Sequence, residues 1–337
     1  MLQELFRIPF IDRPVYGYGL MLVIGFILGA QLAKYLARRC GYNGDTFINA
    51  CLLALVSGVV GARLSHVLES LADSNSQEFA RNGKSLWDNF LGMLNVSSGG
   101  LTFYGGFLLA TPVLIWFAIR KSVPLLRGMD IIAPCLMIGL AFGRIGCYFN
   151  GCCYGEECNL AWGVQFPYGS NAFVEQYAKG EITIPSEFTD PATPIRRQPA
   201  ESGHVVVNPS DYLPRLLSKE EVRRKGLEKQ SESLRANPVH PTELYSAFNA
   251  FLIAGILLAY FSMLPAQGRV FGLMLMLKGT SRYILEMVRV EPPVWGNLSF
   301  SMVVSIGLVI AGILMWWVCG LRQQKQAGGR FAVAPAA

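Results

Sequence analysis

Charge is what this chain has least of. Only 15% of its 337 residues are Asp, Glu, Lys or Arg, against about 25% in a soluble domain. Together with 52% hydrophobic residues and a mean hydropathy of +0.36, the deficit excludes an ordinary soluble domain and points to a chain whose solvent is partly lipid. Other absences narrow the reading further. There is no RNA- or DNA-binding motif, so the net charge of +6 belongs with basic cytoplasmic loops and anionic lipid, not nucleic acid. The N-terminus MLQELFRIPFIDRPVYGYG has no basic n-region and no small-residue cleavage site, which argues against a cleaved signal peptide. No internal repeat is visible, which disfavours a transporter built from inverted halves. Neither an acyltransferase-like H-x4-D nor an aspartate-rich phosphotransferase motif occurs. The eight cysteines are too few for a disulfide-rich scaffold. Cys147, Cys152, Cys153 and Cys158 do crowd together as C-x4-CC-x4-C. That spacing lacks the C-x2-C pairs of zinc and iron–sulfur sites, so disulfide pairing or packing outweighs a metal.

What is present is a series of apolar runs long enough to cross about 30 Å of hydrocarbon. About seven spans are expected, near 17–37, 47–68, 100–119, 129–149, 241–263, 269–288 and 298–319. The expected fold class is therefore an all-α polytopic membrane protein with a small extracytoplasmic head. Residues 1–153 would hold the first four helices, 154–239 the head, 240–320 the last three helices and 321–337 a cytoplasmic tail. Arg38, Arg39, Arg120, Lys121, Arg127, Arg269, Arg322, Lys325 and Arg330 all fall on one side. By the positive-inside rule that side is cytoplasmic, which puts the N-terminus outside. The head carries Arg196, Arg197, Arg223, Arg224 and Lys225, but loops this long translocate largely regardless of charge. Within it, Ser218 and Glu221 have capping-box spacing and predict a helix through EEVRRKGLEKQ. Gly25 with Gly29, and Gly139 with Gly143, have the spacing of close helix packing.

The informative residues are the charges inside the spans: Arg63, Arg144, Arg282, Glu286 and Arg289. Four arginines at the bilayer centre would cost on the order of 10 kcal/mol before pairing and snorkelling offset it. All five sit in the outward halves of their helices, and Tyr18, Tyr104 and His240 lie at the outward starts of theirs. Polar groups from five or six helices thus gather at one level, just beneath the outer surface. Arg282, Glu286 and Arg289 share a helix face at i,i+4 and i,i+3. An ion-paired triad that only steadies the bundle is the plain reading of those three. Arg144 has no carboxylate at helical spacing in its own span. A lipid phosphate is its natural partner, since guanidinium binds phosphate in a bidentate fork. Such arginines would also stabilise charge developing on a leaving phosphate, and a phenol or imidazole could take a proton from the nucleophile.

Several blocks carry a resemblance: YGLM at 18–21, GARL at 61–64, GGLTFYGG at 99–106, GRIGCYFNG at 143–151, HPTELY at 240–245 and RYILEMVR at 282–289. In these blocks the chain resembles the prolipoprotein diacylglyceryl transferases of bacterial inner membranes, over most of its length except 159–236. The resemblance implies a seven-span bundle whose substrates are phosphatidylglycerol, taken from the surrounding membrane lipid, and prolipoprotein signal peptides with a lipobox cysteine. The lipobox thiol would attack the glycerol carbon bearing phosphate, forming a thioether and releasing glycerol phosphate, with no metal or organic cofactor. It also implies that Arg144 holds the headgroup, Arg282 assists at the phosphate, Asn150 and Tyr18 shape the site, and Glu286 with Arg289 order it. The catalytic candidates are then Arg144, Arg282, Tyr104 and His240. The substrate-binding candidates are Arg144, Tyr18, Asn150, Arg63, Glu286 and Arg289. Two positions depart from the family pattern: Tyr104 stands where many members have histidine, and Ser246 where glutamate is usual. The rival reading is an anion or anionic-lipid transporter, which would spread its charges through the depth of the membrane instead of gathering them in one half.

Overall fold

The architecture is that of a computed structural model, which describes residues 4–7, 14–72, 103–196, 212–287, 293–295 and 298–331. Seven long helices appear among these residues: α1 (Gly17–Arg39), α2 (Gly44–Ala72), α3 (Phe103–Arg120), α4 (Leu125–Asn150), α8 (Thr242–Ser262), α9 (Arg269–Glu286) and α10 (Phe300–Phe331). Between α4 and α8 lie the short helices α5 (Asn171–Lys179), α6 (Lys219–Arg224) and α7 (Glu228–Ser231). Five of the long helices, α1, α2, α4, α8 and α10, are long and apolar enough to cross a membrane. The protein is a multi-pass membrane protein. Helix α3 is a shorter apolar helix. Helix α9 carries Arg269, Lys278, Arg282 and Glu286 among its 18 residues, which lowers its hydropathy below that of its neighbours.

The chain divides into two compact units, 29–135 and 1–28 with 136–337, the division falling within α1 and α4. In the first, α1 ends in a Schellman turn. Gly41 takes φ +80°, the Tyr42 amide donates to the Ala37 carbonyl and the Gly41 amide to that of Arg38. Lys34 then pairs with Asp45 at 2.7 Å across the turn into α2. Helices α2 and α3 meet along glycines. A Cβ on Gly61 would lie 2.5 Å from the Gly105 carbonyl oxygen, and one on Gly106 would lie 2.8 Å from that of Gly58. The glycines of GARL and of the glycine frame thus bring two backbones into contact.

In the second unit, the first half of α1 packs on the second half of α4. A Cβ on Gly25 would sit 2.8 Å from Phe142 Cβ, and one on Gly146 3.0 Å from the Tyr18 ring. Of the two expected small-residue pairs, Gly25 and Gly139 lie at this seam. Helices α9 and α10 close on each other at Gly272, Gly279 and Gly312, where a Cβ on Gly279 would meet the Ser305 carbonyl oxygen at 2.8 Å.

The segment between α4 and α8 is a folded subdomain with its own core of Phe166, Tyr168, Phe173, Phe188, Leu217, Val222 and Val239. Phe166 and Phe173 are almost completely buried there, and the buried Tyr168 hydroxyl donates to the Leu217 carbonyl at 2.8 Å. Ser218 and Glu221 form the expected capping box. The helix they open is shorter than expected: it stops at Arg224, Gly226 takes φ +71°, and a separate turn follows at Glu228–Ser231. The described residues are mostly helical, in keeping with the all-α expectation, and their few strands are short. Three two-stranded antiparallel hairpins connect or flank the helices: β1 (Glu4–Arg7) with β2 (Pro14–Tyr16), β3 (Thr189–Arg196) with β4 (Tyr212–Leu216), and β5 (Pro293–Trp295) with β6 (Leu298–Ser299). Proline, which interrupts ladders, sits at strand ends and irregular registers in all three.

Candidate active site

The second half of α4, GLAFGRIGCYFN, is the centre of the arrangement. Its glycines face α1, and this packing sets Tyr18 against Gly146. It also leaves Arg144 half-buried and within electrostatic reach of Tyr18. Among the described residues Arg144 makes no hydrogen bond or ion pair. Arg282, on α9, is held from two directions. Its Nη2 lies 3.0 Å from Glu286 Oε2, one helical turn on, and donates to Ser301 Oγ of α10 at 2.9 Å. Glu286 is 2% exposed, and its other oxygen accepts from Ser299 Oγ at 3.4 Å. The ion pair expected on this helix face is therefore formed by Arg282 and Glu286. Arg289 lies outside the described residues.

The sequence reading missed Lys278. It stands one turn before Arg282 on the same face of α9, half-buried, and the charges of Arg144 and Arg282 both act on it. A lone lysine in LMLMLKGTS was the available signal.

Two motif blocks far apart in sequence are joined by hydrogen bonds. Thr242 Oγ1 of HPTELY donates to the Cys153 carbonyl at 2.7 Å. The Gly155 amide donates to the His240 carbonyl at 2.9 Å, and the His240 amide to the Glu156 carbonyl at 3.0 Å. His240 is thereby fixed beside the turn that follows α4. Its Nδ1 lies 3.4 Å from the Tyr245 hydroxyl, which accepts from Trp162 Nε1 at 2.7 Å. Glu243 of the same block is fully buried, and Ser246 is buried. Nearby Tyr154 donates to Glu175, and burial, helped by that carboxylate, pushes the Tyr154 phenol well above its ordinary range.

Past Asn150 the chain turns through Gly151 at φ +68° and Cys153 at φ +67°. This turn gathers the sulfurs of Cys147, Cys152 and Cys153 within 4.8 Å of one another. The Asn150 side chain lies within reach of the Cys152 thiol. Cys158 lies apart, against Gly163. Three thiols so placed could take a soft cation or form a disulfide; they do not make the four-ligand set of a structural zinc site.

Arg63 and Tyr104 belong to the other unit. Arg63 is buried at 7% exposure on α2, with His66 one turn on. Tyr104 opens α3, where its backbone is described and its side chain is not.

The sequence has relatives of known family. The family model described as prolipoprotein diacylglyceryl transferase matches residues 3–318. The chain belongs to that family. Among curated members, a phosphatidylglycerol–prolipoprotein diacylglyceryl transferase of Clostridium tetani is 24% identical over 313 residues, covering 92% of this chain and 95% of the relative. One of Bacillus cereus is 25% identical over 333 residues, covering 96% and 97%. One of Rhodopirellula baltica is 35% identical over 170 residues, which take in 50% of this chain and 33% of that longer relative. Membership makes the protein a transferase and removes the transporter from favour. It also places the two joined motif blocks, GRIGCYFNG and HPTELY, inside a single family match.

Proposed function

We propose that the protein transfers the diacylglyceryl group of phosphatidylglycerol to the lipobox cysteine thiol of prolipoproteins, the first step of lipoprotein maturation. The observation that carries this reading is Arg144. It is a half-buried guanidinium in the glycine-rich second half of α4, and no described residue neutralises it. An unpaired cation in an apolar bundle calls for an anion. A headgroup phosphate supplies one, in the bidentate geometry that guanidinium favours.

In this reading Arg144 holds the phosphate and Arg282, fixed by Glu286 and Ser301, assists at it. Tyr18 and Asn150 shape the site, and Glu286 with Arg289 orders it. The thiol sulfur attacks the glycerol carbon that bears phosphate. The carbon–oxygen bond breaks with its electron pair on the phosphate oxygen, and the thiol proton passes to water by way of Tyr104 or His240. The finer topology belongs to the same proposal: seven spans in a bacterial inner membrane, with the N-terminus outside and the C-terminus cytoplasmic. The subdomain within 154–239 then stands on the outer face, beside the incoming signal peptide. The divisions at 153, 239 and 320 follow from it.

The test is transfer in proteoliposomes of purified protein, phosphatidylglycerol and a fluorescent lipobox peptide. The expected outcome is a peptide heavier by one diacylglyceryl group at cysteine, with glycerol phosphate released. Folded protein that binds anionic lipid and leaves the peptide unmodified would revive the transporter.

A further inference from the structure

We infer that Lys278 is a second phosphate ligand, which with Arg144 binds the departing glycerol phosphate in its dianionic form. The inference rests on the transfer reading above and deepens it. Lys278 sits in the middle of α9, within a run otherwise apolar from Val270 to Gly279. Its neighbours in charge are Arg144 and Arg282, both positive. Among the described residues it makes no hydrogen bond or ion pair. Three basic groups gathered in an apolar bundle repel one another and gain nothing for the fold, and a bound anion is what would hold them charged together.

The charge count says which anion. Glu286 neutralises Arg282 at 3.0 Å. Arg144 and Lys278 remain, two positive charges without a carboxylate among the described residues. The phosphate of phosphatidylglycerol is a diester with a single negative charge. When sulfur bonds to the glycerol carbon and the carbon–oxygen bond breaks, that oxygen keeps the electron pair. The thiol proton goes to water, and the phosphate leaves as a monoester with a second negative charge. A doubly positive site therefore fits the product side of the step better than the substrate. This is the condition for raising kcat without merely tightening substrate binding. A lysine ammonium suits the role because it is a compact positive charge on a flexible stem that can reach the departing oxygen. The competing account is a lysine whose stem packs in the bundle while its ammonium reaches toward water.

The experiment compares wild type, Lys278→Met and Lys278→Arg in the proteoliposome assay, with kcat and KM for phosphatidylglycerol and inhibition by added glycerol phosphate as readouts. Lys278→Met should lower kcat by roughly 10²- to 10³-fold, the range seen on removing one anion-stabilising donor. Its KM should change little, glycerol phosphate should inhibit it far less, and Lys278→Arg should recover most of both. Wild-type kcat and wild-type inhibition in Lys278→Met would overturn the inference. So would a loss that Lys278→Arg does not recover and that tracks a fall in thermal stability, which marks a packing role. If wild type transfers nothing, the transfer reading fails. Binding of glycerol phosphate against glycerol to the detergent-purified proteins then decides for Lys278 alone, because only a phosphate ligand makes the two variants differ.

Discussion

Arg144 and Arg282 both lie in the candidate site, yet their surroundings predict opposite effects on stability. Arg282 lies 3.0 Å from Glu286 and bonds Ser301 of α10 at 2.9 Å. Replacing it by methionine takes the cation from beside a carboxylate that is 2% exposed. Breaking a buried pair in this way costs about 3–5 kcal/mol. Arg144→Met strands no partner among the described residues and roughly conserves volume, so its packing cost should stay below about 1.5 kcal/mol. Relief of an uncompensated intramembrane charge works in the other direction, at up to about 2.5–3.5 kcal/mol. Arg144→Met should therefore be as stable as wild type or more so, while Arg282→Met melts markedly lower. Catalytically the two should look alike. In the proposed reaction each removes a cation from the phosphate, worth roughly 2.7–4 kcal/mol or about 100- to 1000-fold in kcat. Thermal unfolding in detergent, followed by tryptophan fluorescence, and peptide transfer by the same preparations give both numbers. The reasoning fails if Arg144→Met loses as much stability as Arg282→Met, or if it turns over normally.

Two further outcomes follow from the packing and from the subdomain. Gly61→Ala should lower thermal stability, by about 1–3 kcal/mol for overpacking, because its Cβ would lie 2.5 Å from the Gly105 carbonyl and 2.7 Å from Leu109 Cβ. Gly58→Ala, one turn earlier with nothing within 4 Å, is the control and should be neutral or slightly stabilising. In the subdomain, Arg215 above all, with the amide and hydroxyl of Ser218, holds Glu221 down to about 2. The folded value lies below the unfolded one, so the contribution is full above the ordinary glutamate range and is lost as pH falls toward about 2. Protection of the Lys219–Arg224 amides, taken relative to intrinsic exchange at each pH, should fall across that window in wild type, and Glu221→Gln should abolish that fall.

The long helices were legible because each is an apolar run bounded by charge, turn residues or glycine; each expected segment falls on one of α1–α4 and α8–α10, of which α1, α2, α4, α8 and α10 are long and apolar enough to cross a membrane, and α10 runs on to Phe331. The Arg282–Glu286 pair was equally legible, since i,i+4 spacing on one helix leaves little to tertiary structure. Lys278 was not, because its meaning comes from Arg144 on a different helix, and no spacing within α9 announces that neighbour. The joining of HPTELY to the turn after GRIGCYFNG was hidden for the same reason: Thr242 and Cys153 are 89 residues apart. The end of α6 was misjudged where capping chemistry marked the start clearly and a glycine at φ +71° stopped the helix within two turns. The gathering of three thiols depends on Cys153 adopting φ +67°, a conformation that its residue type does not advertise.

The glycines and the charges of the candidate site are parts of one requirement. A phosphate site in lipid gains most when its cations are held before the anion arrives, because reorganising them during reaction costs what the electrostatics supply. Arg282 meets that condition only while α9 and α10 stay close enough for its guanidinium to reach Ser301. The glycine seam sets that distance. A Cβ on Gly279 would press on the Ser305 carbonyl and on Val309 at 2.8 Å each. Gly279 lies one turn from Arg282, and Ser305 one turn from Ser301, so a shift at the seam is felt directly at the bond. A side chain at Gly279 would thus disturb the candidate site without altering any charge in it. In the proposed reading the motif arginines set what the site binds, and the glycines between them let the helices hold that arrangement.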